Sequence, residues 1–177
     1  MSDQTFSGIV TIAKAGPTGM VTLRTDLSAA ASALRGAGIT VPDRRTARDG
    51  TLWMSPDELM ILCPRDASSD KVAVLTVALK GTHHLAIDVS DARVMFTLTG
   101  EGAAIRETLA KLSPADLRAN ALPVGEVRRT RLAQVAAAFW FETEGEARLI
   151  CFRSVADYVF GLLKHAAQPG SEVGHFR

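Results

Sequence analysis

The chain has 177 residues, enough for one domain or for two small halves that share a core. It is 47% hydrophobic and 22% charged, with a formal net charge of +1, which gives no electrostatic reason for a nucleic-acid or membrane partner. No apolar run reaches the length of a membrane span, and two cysteines, Cys63 and Cys151, cannot form a disulfide scaffold.

Residues 1–19 read as an N-terminal arm ending in Gly16-Pro17-Thr18-Gly19, with a short strand at Ile9–Ala13. Met1-Ser2-Asp3-Gln4 lacks the basic and apolar regions of a signal peptide, so a reduced, cytoplasmic protein is expected. Met20–Arg24 alternates as a strand. Asp26 can cap a helix over Leu27–Arg35, which Gly36 and Gly38 stop. Residues 40–50 form a basic loop with Arg44, Arg45 and Arg48. Two apolar runs then flank Ser55-Pro56-Asp57-Glu58. Ser, Pro and Asp in that order fit a type I turn, so the segment reads as a hairpin with both carboxylates at a solvated tip. Residues 69–80 place Val72, Leu75 and Leu79 on one helical face, together with Thr76.

A second cycle starts with strands at His83–Ser90 and Arg93–Thr99. The helix Gly100–Leu112 turns Ala104, Ile105, Leu109 and Leu112 inward, and a Pro-flanked loop runs from Ser113 to Gly125. Glu126–Phe141 reads as strand, broken near Gln134 or Ala136. Gly145 turns into a strand at Arg148–Phe152, and a helix over Ser154–Ala167 opens with a Ser154/Asp157 capping box. Residues 168–177 read as a loose tail. "ILCPRDASSDKVAVLTVAL" and "LICFRSVADYVFGLLKHA" both run strand, Cys, one residue, Arg, helix. The order is strand–helix–strand–strand–helix given twice, which predicts an α+β fold with mixed or antiparallel sheets rather than a doubly wound parallel one. The expected organisation is a single domain over 20–167, in halves of about 20–81 and 83–167.

Candidate chemistry is sparse. Gly100-Glu101-Gly102 opens a helix after a strand, where a dinucleotide fingerprint belongs. Ile105 occupies the third glycine position, and Glu101 would repel a phosphate, so a plain helix entry is the better reading. His83 and His84 face opposite sides of a strand and cannot chelate one ion together. Neither Cys-x-x-Cys nor Gly-x-Ser-x-Gly occurs, so no metal site, cofactor site or catalytic residue is expected in this chain. Cys63 and Cys151 fall in apolar strands, as inert thiols do. Of the cluster Arg128, Arg129 and Arg131, alternation puts the last two on one face. That face is either solvated or recognises a partner's carboxylates through guanidinium forks.

A Trp followed by Ser-Pro-Asp-Glu and an apolar strand resembles the gamma subunit of heterotetrameric sarcosine oxidase. The similarity continues through Asp88-Val89-Ser90-Asp91-Ala92-Arg93, Leu109-Ala110-Lys111-Leu112, Pro114-x-Asp116-Leu117, Pro123-x-Gly125, Thr130–Gln134 and Arg153–Tyr158. The resemblance implies a fold like the folate-binding domain of the glycine-cleavage T-protein (an aminomethyltransferase). It implies a non-catalytic, structural role beside alpha, beta and delta subunits, in a complex that oxidatively demethylates sarcosine and passes the one-carbon unit to tetrahydrofolate. FAD, FMN, NAD and tetrahydrofolate would then reside on the partner subunits. Arg129, Arg131 and Gln134 are the expected partner-facing residues, and an exposed apolar patch should mark the docking face. The isolated chain could self-associate to hide that face. The alternative is a stand-alone tetrahydrofolate-binding one-carbon-transfer protein, which would need a deep pocket with a carboxylate.

Overall fold

The computed structural model describes residues 4–176. Its order is β1 (Thr5–Ser7), β2 (Thr11–Lys14), β3 (Thr18–Thr25), α1 (Leu27–Gly36), β4 (Ala47–Arg48), β5 (Thr51–Ser55), β6 (Glu58–Pro64), α2 (Ser68–Ala78), β7 (His84–Asp88), β8 (Arg93–Thr99), α3 (Gly102–Ala110), β9 (Arg128–Leu132), β10 (Val135–Thr143), β11 (Glu146–Phe152) and α4 (Ala156–Ala166). The fold is α+β, with antiparallel pairing throughout both sheets.

The chain divides into two compact units. Pro17–Asp91 builds a five-stranded sheet in the order β4-β5-β6-β3-β7. Asp26 caps α1 by accepting from the Ser28 and Ala29 amides, and α1 and α2 turn Leu27, Leu34, Leu75 and Leu79 onto Val21, Leu23, Leu59 and Ile61. Thr76, expected on the inward stripe of α2, is exposed and donates its hydroxyl to Val72 O. Met20, Leu52 and Met60, on the opposite sheet face, are buried as well.

The other unit joins the N-terminal segment to Ala92–Arg177 in a six-stranded sheet, β1-β2-β8-β11-β10-β9. The segment read as an arm therefore carries two strands, with β2 paired to β8. Ile105 and Leu109 of α3 and Val159 and Leu163 of α4 pack on Phe96, Phe139, Phe141 and Leu149. Buried Arg106 organises the Pro-flanked loop. It donates to Leu117 O at 2.9 Å and Leu122 O at 3.0 Å and stacks on Phe141 at 4.2 Å.

Both repeats follow the same course: β3-α1-β5-β6-α2 and β8-α3-β10-β11-α4, each with a 3-10 turn before the last helix (Arg65–Ala67 and Arg153–Val155). That turn corrects one expectation. Ser154 lies inside it, the cap position falls on Val155 with no side-chain bond, and Asp157 instead accepts from Gln4 Nε2 at 3.0 Å. The C-terminal residues are not loose either, because the Val173 and Gly174 amides donate to the Glu107 carboxylate.

Candidate functional site

The hairpin between β5 and β6 turns on two residues, Pro56 and Asp57, with Ser55 paired to Glu58. Asp57 is exposed and accepts from Ser55 Oγ at 2.6 Å. Glu58 is not at the tip. It is buried, and Arg24 of the neighbouring β3 reaches its carboxylate at 2.9 Å while holding Asp57 at 3.3 Å. The sequence pattern places both carboxylates in water because it shows the turn without the neighbouring strand. Beneath the hairpin, Trp53 packs on the core, and Arg44 of the basic loop lies 5.9 Å from its ring centroid. Arg48, expected in that loop, ends the short strand β4 and meets Asp49 at 3.7 Å.

The segment Asp88–Arg93 forms the turn from β7 to β8. Asp88 accepts from Ser68 Oγ at 2.6 Å, from the Ser90 amide at 2.9 Å and from the Ser90 hydroxyl. Those bonds, led by the one from Ser68, hold its carboxyl below the ordinary aspartate range. Arg65, from the 3-10 turn before α2, spans Asp88 at 3.4 Å and Asp91 at 2.8 Å. Ser90 Oγ in turn accepts from the Met20 amide at 2.9 Å. Each polar group thus fixes the course of the chain.

At the far edge of the six-stranded sheet, β9 carries the second arginine cluster. Arg128 turns toward the protein and bonds Ala121 O at 2.7 Å and Glu126 at 2.9 Å. Arg129 and Arg131 are exposed on the opposite face, and Gln134 is exposed in the two-residue turn to β10. Ala133 makes that turn at φ 51°, anchored by its amide on Leu112 O. Arg131 pairs with Ala136, Ala137 with Cys151, and Phe152 with Arg93. Arg131, Ala136, Phe152 and Arg93 therefore form one row across four strands, with the Arg93 guanidinium 3.8 Å from the half-exposed Phe152 ring centroid. Nothing in the sequence foretold that Phe152 and Arg93 would join the expected partner-facing residues; the register of three strand pairs was needed.

The remaining candidates have structural roles. Glu101 precedes α3 without a side-chain cap bond, Ile105 is fully buried, and a Cβ on Gly102 would come within 2.6 Å of Glu144 O. Close backbone approach explains that glycine without a phosphate. Burial raises the Cys63 thiol, and pushes that of Cys151 up to about 11. His84 Nδ1 lies 2.8 Å from Thr82 O. Among the described residues no group of three His, Cys, Asp or Glu converges as a metal site, and no helix is long and apolar enough to cross a membrane. A cavity of about 390 Å³ lies between α3, the loop at Ala115–Arg118 and the C-terminal residues Val173, His175 and Phe176. Glu107 on its wall is occupied by the C-terminal amides.

Comparison with known proteins places this geometry. The model of the sarcosine oxidase gamma subunit family matches residues 25–169. Among solved structures, the chain is similar to one from the heterotetrameric sarcosine oxidase of Corynebacterium sp. U-96, in complex with pyrrole 2-carboxylate. The identity is 26%, with 92% of this chain and 87% of that one covered, at a TM-score of 0.79. The glycine cleavage aminomethyltransferase T of Bartonella henselae shares the fold at 14% identity and a TM-score of 0.55, over 88% of this chain and 46% of that one. The regulatory subunit of aspartate kinase from Thermus thermophilus does so at 11% identity and a TM-score of 0.50, over 92% and 99%. No curated protein sequence matches the chain.

Proposed function

The chain belongs to the sarcosine oxidase gamma subunit family, and from that premise we propose that it is a non-catalytic assembly subunit of a heterotetrameric sarcosine oxidase. Its partners are the alpha, beta and delta subunits. FAD, FMN, NAD and tetrahydrofolate are held by those partners, which carry out the oxidative demethylation of sarcosine. The observation that carries this reading is the family match over residues 25–169, which runs through both repeats. The buried and half-buried polar side chains described above fit it, because each of them holds the fold in place. Glu58 pairs with Arg24, Asp88 ties two serines, and Arg106 binds two loop carbonyls.

Arg129, Arg131 and Gln134 face the partner from the β9 edge, with Phe152, two strands further in along the row of Arg131, as an apolar contact. A guanidinium fork suits a carboxylate of the facing subunit, and a half-exposed aromatic is a common anchor at such contacts. A tagged chain co-expressed with the alpha, beta and delta subunits should be recovered as one complex carrying flavin absorbance. The chain purified alone should carry none, and should release no heat with tetrahydrofolate at millimolar concentration. Recovery of the chain alone from cells making all four subunits, or turnover of sarcosine by the isolated chain, would overturn the reading.

A further inference from the structure

The two repeats are equivalent strand for strand, with one exception. β3, β6, β5, β4 and β7 correspond to β8, β11, β10, β9 and β2, but β1 covers the outer edge of β2 and the five-stranded sheet ends at β7. We propose that the outer edge of β7 is a strand-docking site, filled by an uncharged extended segment of a partner subunit. This rests on the assembly role proposed above and names a second surface for it.

The other sheet edges are protected in the usual ways, by charge or by brevity. β9 carries Arg128, Arg129 and Arg131, β4 is two residues long and ends in Arg48, and β1 has three residues. β7 has five, and Leu85-Ala86-Ile87 at its centre is uncharged. Val89 donates its amide to Met20 O, so alternation along an antiparallel pair turns the Ala86 N–H and C=O away from β3.

Apolar side chains flank this edge on both faces of the sheet: Leu85 and Ile87, paired with Arg24 and Thr22, lie on the face away from the helices, and Ala86, paired with Leu23, on the face that α2 covers. Leu85 is 52% exposed and Ile87 46%, while α2, which packs on β7, exposes Val74 at 47% and Val77 at 75%. α2 already buries Leu75 against its own sheet, so it is apolar on two sides, and a solvated helix normally keeps one side polar. Four of the eight exposed large apolar side chains among the described residues thus gather on two adjacent elements. The uncharged centre of this edge fits an uncharged strand, because the carboxylate of Asp88 at its end is already held by Ser68, Ser90 and Arg65. Five residues span about 17 Å, too little to bury the roughly 1,200 Å² that a stable specific interface needs. The occupant is therefore part of a larger partner that meets this chain elsewhere too, and not a second copy held through β7 alone.

The test compares the wild-type chain with the variant Leu85→Lys/Ile87→Lys, co-expressed with the alpha, beta and delta subunits. Both positions are exposed, so the circular dichroism and Tm of the isolated chain should not change. Recovery in the complex should fall by about tenfold or more, as charges on a paired edge block strand addition. In the wild-type complex, exchange of the Ala86 amide should slow relative to the isolated chain, which a merely covered apolar patch would not produce. If the lysine variant assembles like the wild type, the inference fails and the assembly role stands. If the wild type does not assemble, both fail. Ala86 exchange that stays unchanged in the complex overturns strand addition, and this measurement decides alone should the variant misfold. A dimer of the isolated chain that the lysines dissolve would make a second copy the occupant and overturn the choice of partner.

Discussion

Arg24 on β3 holds buried Glu58 on β6 at 2.9 Å, across a register that sets the two residues opposite each other. The pair anchors the hairpin, and Asp57 contributes only from its exposed side at 3.3 Å. Glu58→Ala leaves Arg24 half-exposed and hydrated, so the cost should be about 1–2 kcal/mol, below that of breaking a fully buried pair. Asp57→Asn should change stability by less than about 0.5 kcal/mol. Urea midpoints of the two single variants measure the difference. Turnover of the assembled oxidase should be nearly unchanged in Asp57→Asn/Glu58→Gln, and a large loss with assembly intact would give these carboxylates a part in the chemistry.

The contrast between Asp57 and Glu58 shows where the sequence was legible. Hydrophobic periodicity placed α2, α3 and the core positions Leu75, Ile105 and Leu109, because a local pattern decides which face is buried, and the Asp26 cap with the glycines beyond Arg35 placed α1. The strand–helix–strand–strand–helix repeat was visible for the same reason. Glu58 was misplaced because its partner is 34 residues earlier in the chain. Arg106 was missed because the carbonyls that hold it belong to a loop with no pattern of its own. The break before β10 was found only approximately, since Ala133 adopts a positive φ without the Gly or Asn that usually announces one. β1 was missed and β2 was read only as a short strand within an arm, because the sheet partner of β2, β8, lies in the far repeat.

Asp88 should couple stability to acid. Its carboxyl is depressed first by the hydroxyl of Ser68 and then by that of Ser90. A carboxylate with a lowered folded pKa stabilises the protein at pH above its unfolded value, near 3.8, and loses that contribution as pH falls through the folded value. Asp88→Ala removes the acceptor and should cost about 1–3 kcal/mol at neutral pH. Ser68→Ala removes one donor and should cost about 1 kcal/mol. Urea unfolding of the variants at pH 7 and pH 3 should converge toward wild type in acid for both. A constant difference across that range would show that the Asp88 charge contributes nothing.

The two thiols, equivalent in the repeat, should differ in reactivity. Cys151 is buried with its pKa pushed up to about 11, whereas Cys63 is half-buried and raised less. At pH 8 about one Cys151 thiol in a thousand is ionised, and the thiolate is the reactive form. An aromatic disulfide reagent should therefore label Cys63 slowly in the folded protein and Cys151 only after unfolding. Fast labelling of both would mean that β11 opens readily.

The C-terminal segment should be held by Glu107 in a pH-dependent way. The Val173 amide depresses the Glu107 carboxyl most, the Gly174 amide adds to this, and Lys111 lies 3.6 Å away. Lys111 also donates to Ala166 O at the end of α4 and to Ser171 Oγ, both at 3.0 Å, so Glu107 and Lys111 together grip three positions of the terminus and tie them to α4. Asp116, Arg118 and His175 line the adjoining cavity, and Asp116 is already held by Arg118. Ionised Glu107 accepts both amides. Its lowered pKa means that the grip is complete above pH about 4.5, the ordinary glutamate range, and weakens as pH falls through the depressed value. Amide exchange at Val173 and Gly174 should therefore be slow at neutral pH and lose its protection in acid, beyond the intrinsic pH dependence of exchange. Glu107→Gln should remove most of that protection at neutral pH. Arg118→Ala should leave it in place, because the Asp116–Arg118 pair makes no bond to either amide. Unprotected amides in the wild type at pH 7 would mean that Glu107 is buried for packing alone.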